Sequence, residues 1–151
     1  MKTLLIVFHT GGVKTAQMAE AVARGANAEG GVHVTLKRCA EAGPEDLLAA
    51  DGLILGTPEN FGYMSGMMKD FLERVFYACE GKVNGRPWAL FVSAGQDGSG
   101  AVSSVERIVT GLRLEKKAEP IVALKEVTPE ILARCEELGA AFAAGLAMGV
   151  F

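Results

Sequence analysis

Paired cysteines are missing from this sequence. Cys39, Cys79 and Cys135 stand far apart, with no CxxC spacing and no Cys/His grouping. A disulfide framework or a zinc site needs such groupings, so the three are expected to be reduced core thiols, and no metal is expected. Charge of one sign is also missing. Fifteen Lys and Arg stand against 18 Asp and Glu, a formal net charge of −3, with no basic block and no acidic tail. That balance gives no reason to expect nucleic acid or a charged partner surface. Long apolar runs are absent too. Leu4 to Phe8 is among the longest, far below the roughly 20 residues a bilayer requires, so no membrane partner is expected. Met1-Lys2 leads straight into that run. This leaves no room for an apolar signal segment and makes a cytoplasmic location the expectation.

Half of the 151 residues are hydrophobic, enough for one domain with a sizeable core over 1–151. Apolar runs alternate with helical patterns throughout, the signature of a parallel sheet covered on both faces. The pattern predicts strands near 3–8, 32–37, 52–56, 87–93 and 120–124. Helices are predicted near 15–29, 44–50, 64–79, 100–115 and 128–147. Leu4-Leu5-Ile6-Val7-Phe8 and Trp88-Ala89-Leu90-Phe91-Val92 are apolar at every position, as central parallel strands must be. Val32 to Lys37 alternates, and Pro120 removes a ladder donor, so both strands belong at edges. The resulting order is 2-1-3-4-5, an α/β three-layer, flavodoxin-like arrangement. Met64, Met67, Met68, Phe71, Leu72 and Val75 recur at helical spacing and are assigned to the core rather than to a ligand.

In that order the switch point lies between the first and third strands, and three loops meet there. The first, His9 to Thr15, contains Thr10, Gly11, Gly12, Val13 and Lys14 and opens a helix. A helix start offers free N–H groups and a positive dipole end to a phosphate. Thr15 is expected both to donate a hydroxyl and to cap the helix. The second loop, Thr57 to Ser65, holds Pro58, Glu59, Asn60, Phe61 and Gly62, with Phe61 and Tyr63 placed either on a bound ring or over the core and Ser65 as the next N-cap. The third, Ser93 to Gly100, holds Ala94, Gly95, Gln96, Asp97 and Gly98 and no aromatic residue. The Walker pattern GxxxxGK[ST] is absent, so nucleoside triphosphate hydrolysis is not indicated.

The stretch from Leu53 to Arg74 resembles the isoalloxazine-edge loop of the flavodoxin superfamily, closest to its NAD(P)H-dependent FMN reductase and quinone reductase branch. The first loop is similar to that superfamily's hydroxyl-x-Thr-Gly-x-Thr phosphate loop. Thr10 and Thr15 match its ends, while Gly12 stands for the usual Thr and Val13 for the usual Gly. The resemblance implies FMN as cofactor, NAD(P)H as electron donor, a small-molecule acceptor such as a quinone or flavin, and a homodimer as an open possibility. The alternative it carries is a flavodoxin-type electron shuttle. Such shuttles usually sandwich the ring between aromatics and are strongly acidic, neither of which fits the third loop or the net charge of −3. A phospho-acceptor signalling domain on the same fold would need acidic residues after strands 1 and 3. His9-Thr10 and Thr57-Pro58 stand there instead, and Lys125 alone does not supply the set. No side chain is required as acid or base, and none is expected to be catalytic.

Overall fold

The computed structural model describes residues 1–151. Strand β1 (Thr3–Phe8) is buried at five of six positions and β5 (Pro87–Ala94) at all eight, so both lie inside the sheet. Between them runs β3 (Gly52–Asn60), paired in parallel with β1 from Leu4↔Gly52 to Phe8↔Gly56 and with β5 from Leu53↔Trp88 to Pro58↔Ser93. β2 (His33–Arg38) pairs with β1 at one edge, where most of its side chains are wet or half-buried. Helices α1 (Lys14–Glu29) and α5 (Pro129–Met148) cover one face. α2 (Pro44–Ala49), α3 (Gly66–Cys79) and α4 (Ser99–Gly111) cover the other.

The expected arrangement is present, with two differences. The sheet has seven strands rather than five. β4 (Tyr63–Met64) is antiparallel to the end of β3, and the far edge is split into β6 (Glu115–Lys116) and β7 (Ile121–Leu124), which pair with opposite ends of β5. Pro120 precedes β7 and falls in the break between the two edge pieces. The predicted fourth helix, 100–115, is correspondingly too long. Arg113 takes a left-handed φ of 60° after α4 ends at Gly111, and Glu115 is free to join the sheet.

Two buried clusters sit on the two faces. Met64, Met68, Phe71, Leu72 and Val75 belong to the α3 side, as the helical spacing implied, and the three cysteines are free and buried. Burial pushes the thiol of Cys39 up to about 12 and that of Cys135 up to about 11, so neither is poised as a nucleophile. No helix is long and apolar enough to cross a membrane. On the other face α1 and α5 cross at glycines. A Cβ on Gly139 would stand 1.9 Å from the Val22 carbonyl, and one on Gly25 1.9 Å from that of Glu136. Backbone cannot yield as a side-chain tip can, so Gly139→Ala is expected to lower stability by about 1–3 kcal/mol despite the better helix propensity of alanine. Gly66→Ala, where a Cβ meets nothing within 4 Å, is expected to raise stability by about 0.4–1 kcal/mol. Urea unfolding of the two variants checks the contrast.

Candidate functional site: three loops at the carboxyl ends of β1, β3 and β5

Past His9, whose N–H still donates to the Gly56 carbonyl (3.1 Å), the chain stops donating backbone bonds until α1. None of the N–H groups of Gly11, Gly12, Val13, Lys14 and Thr15 has a partner within the protein. These residues line a cavity of about 340 Å³ closed by Pro58, Asn60 and Ser93. Thr10 organises this loop: its Oγ1 donates to the Gly12 carbonyl (2.8 Å) and accepts from the Ala16 N–H (3.3 Å). Thr15 does not cap the helix as expected. α1 begins at Lys14 with Val13 at the N-cap, and the Thr15 hydroxyl lies buried against that of Ser93, 2.7 Å away. Val13 has an ordinary φ of −114°, so the β-branched residue sits in the loop without strain. Burial first, and the Arg38 charge second, push the His9 imidazole below its usual range, so this neighbour favours its neutral form. Lys14 lines the cavity and also donates its ammonium to the Lys125 carbonyl.

The second loop is a hairpin where a turn was expected. β3 continues through Pro58 to Asn60, because pairing with β1 ends at Gly56 and the last residues have an open edge, the setting in which a strand accommodates proline. Phe61 (φ 55°) and Gly62 (φ 69°) form a two-residue turn of the mirror-image kind that suits the twist of a hairpin. A bulky residue with positive φ is strained by about 1–3 kcal/mol, and the surroundings hold it. The Ala101 N–H donates to Glu59 Oε2 (3.1 Å), and the Met64 N–H donates to Ser104 Oγ (3.0 Å). Gly100 lies so near Gly62 that a Cβ would stand 1.9 Å from its carbonyl oxygen. Thr57 Oγ1 donates to the Pro58 carbonyl and accepts from the Ser65 N–H, and Ser65 caps α3 as expected, accepting from the Met68 N–H. Of the two placements left open for the aromatics, the one over the core does not hold: Phe61 is fully exposed at the hairpin tip and Tyr63 is 43% exposed.

The hairpin and the third loop enclose a second cavity, of about 480 Å³, lined by Glu59, Phe61, Gly62, Gly95, Gln96, Asp97, Ser99 and Gly100. Phe61 is its sole apolar side chain. The Ser99 backbone N–H, with help from the Ser99 hydroxyl, holds the Asp97 carboxyl below the usual carboxylate range. Fourteen of the sixteen expected site residues therefore line the two cavities. Ala94 and Gly98 do not; both are buried, Ala94 ending β5 and Gly98 packing on Val122. Ser93, Ser99 and Gly100 join the site although they were not among its expected residues.

Residues 40–125, more than half of the chain, match the NADPH-dependent FMN reductase family. The chain belongs to that family. Among curated proteins it is similar to a flavodoxin of Aquifex aeolicus (38% identity over 112 residues, 74% of this chain and 60% of that one). It is also similar to an NAD(P)H dehydrogenase (quinone) of Acidithiobacillus ferrooxidans (32% identity over 133 residues, 74% and 66%). The matches span less than two thirds of either relative. A solved flavodoxin from the domain Archaea superposes with a TM-score of 0.85 at 20% identity, covering 95% of this chain and 98% of that one, a likeness of fold.

The Glu59 carboxylate joins the hairpin to the start of α4, so Glu59→Ala is expected to lower stability by about 1 kcal/mol, the usual worth of a helix cap. Glu59→Gln keeps an accepting oxygen and is expected to lose less. Chemical unfolding of both variants checks the order, and an unchanged midpoint for Glu59→Ala would remove the clamp.

Proposed function

We propose that this chain binds FMN and passes a hydride from NAD(P)H through it to a quinone, a free flavin or a similar small acceptor. The observation that carries the reading is the row of five unpartnered N–H groups, Gly11 to Thr15, at a helix start beside a second cavity able to take a flat ring. The residues fit the cofactor's two ends. Main-chain donors with the Thr10-ordered turn would hold the phosphate. Pro58, Asn60 and the hairpin would edge the ring from one side, and Gly95, Gln96 and Asp97 from the other. FMN, when bound, supplies the two-electron chemistry; the protein binds, orients and limits access. The third loop offers only small and polar side chains. One face of the ring cavity is thereby left for a nicotinamide or an acceptor. The names of the family and of the quinone-reducing relative support the same reading.

A flavodoxin-type shuttle is the second reading, favoured by the name of the Aquifex relative. Shuttles of that kind cover the ring with aromatics from both loops. Here Phe61 and Tyr63 lie on the second loop and none lies on the third.

Thr10→Ala removes two hydrogen bonds that shape the phosphate loop. Each is worth about 0.5–1.5 kcal/mol, so FMN affinity is expected to fall roughly tenfold while riboflavin affinity stays unchanged. Calorimetric titration of the apoprotein with both flavins measures this, and equal losses for the two would displace the phosphate from the loop. Anaerobic stopped-flow mixing of the FMN-loaded protein with NADH and NADPH separates the two functions. Bleaching of the flavin within the dead time or seconds is expected. Failure of both nucleotides, where dithionite succeeds, would make the shuttle the better reading.

A further inference from the structure

A cavity of about 570 Å³ lies away from the three loops, between α3 and α4. Shared lining residues relate it to the ring cavity. A third cavity of about 550 Å³ lies between them, sharing Gly62 and Gly100 with the ring cavity and Arg107 and Ile108 with the large one. The saddle between ring cavity and trough is the Gly62–Gly100 contact, where neither residue has a side chain to bar the way. The trough floor is one stripe of α4: Gly100, Ser103, Ser104, Arg107, Ile108 and Gly111, spaced at three and four residues. At 1.5 Å per residue, Arg107 lies about 10 Å and Gly111 about 16 Å along the helix from Gly100.

Arg107 is the only cation lining these three cavities. It has neither an ion-pair partner nor a hydrogen bond, whereas Glu73 on the opposite wall is paired with Lys69 (2.6 Å). Tyr63 and Tyr77, 43% and 85% exposed, flank the trough. A free guanidinium, two serines and aromatic walls, leading out of a cavity sized for a flat ring, match an extended ligand with an anionic group and a second aromatic base. We propose that the trough along α4 binds the adenosine half of NADPH, with Arg107 recognising the 2′-phosphate and setting a preference over NADH. The proposal rests on the reductase reading, because a nicotinamide at the ring cavity is what aims the other half of the dinucleotide along α4. Arg107 is a specificity residue here, remote from the reacting atoms.

The test uses FMN-loaded protein and two readouts. By calorimetry, adenosine 2′,5′-bisphosphate is expected to bind wild type roughly fivefold or more tighter than ADP. Arg107→Glu is expected to erase that difference and Arg107→Lys to keep part of it; the side chain is exposed and unpartnered, so both variants fold. In stopped flow, Arg107→Glu is expected to raise the NADPH concentration for half-maximal flavin reduction by a similar factor and leave that for NADH unchanged. Equal binding of the two adenosine compounds to wild type, or a preference that survives Arg107→Glu, overturns the subsite. If both nucleotides reduce the flavin with no such preference, the reductase stands and the subsite falls. If neither reduces it, the reductase reading fails, and the calorimetry alone decides whether α4 carries an anion site.

Discussion

A central strand buried on both faces has no side chain and almost no peptide group left to offer a ligand. β1 and β5 are in that state along nearly their whole length, and so is β3 as far as Thr57. Polar chemistry is forced to the places where ladder pairing stops. β1 stops at Phe8, and the chain turns through Gly11 to Thr15 without replacing the lost bonds. β5 stops at Ala94 and does much the same. β3 overshoots both neighbours, its pairing ending at Gly56 on one side and Pro58 on the other. An overshooting strand has bare edges, which are satisfied by folding back on itself as β4. The two cavities are the spaces on either side of that overshoot.

The hairpin has little core of its own, with Met64 alone of its tip residues buried, so its position is borrowed from α4. The carboxylate of Glu59 takes the Ala101 N–H, Ser104 takes the Met64 N–H, and Gly100 lets the two backbones touch. α4 is in turn fixed by Ala101, Val105 and Val109 against the sheet. One helix therefore sets the ring cavity on one side of the Gly62–Gly100 contact and the trough on the other. The strained φ of Phe61 is tolerated because three separate contacts determine the turn around it.

Much of this was legible from residue pattern. The unbroken apolar runs of β1 and β5 can only be central strands, the Met stripe of α3 has helical spacing, and Gly-rich turns after central strands mark the crevice. What escaped did so for physical reasons. Thr-Pro-Glu-Asn-Phe-Gly reads as a turn because Pro and Gly are breakers, and the usual hairpin signal is Asn-Gly or Asp-Gly, whereas here it is Phe-Gly. The end of α4 was hidden because Leu112 and Leu114 continue an apolar pattern across Arg113, whose left-handed φ no pattern announces. The Thr15–Ser93 hydroxyl pair joins residues 78 apart, so only the folded chain reveals that Thr15 is occupied and Thr10 orders the loop. The stripe from Gly100 to Gly111 has Ile108 as its one bulky apolar residue and therefore looks like an ordinary solvated side of a helix.

The departure of the first loop from its superfamily's pattern follows from the same backbone logic. A loop that recognises phosphate through main-chain N–H groups depends on the path of the chain more than on its side chains. The path here is held by Thr10, through one bond to Gly12 and one to Ala16, and from beneath by the Thr15–Ser93 pair. Gly12 in place of Thr removes a hydroxyl but leaves its N–H free, and Val13 in place of Gly keeps an ordinary φ in a residue that is 66% exposed. Both substitutions change side chains while leaving the loop's main-chain N–H groups unpartnered. The side-chain identities that matter are instead those that bend the chain or couple loops, namely Thr10, Ser93, Glu59 and Gly100. Selectivity between partners is then left to side chains further out, along the exposed face of α4, where a change costs the fold almost nothing.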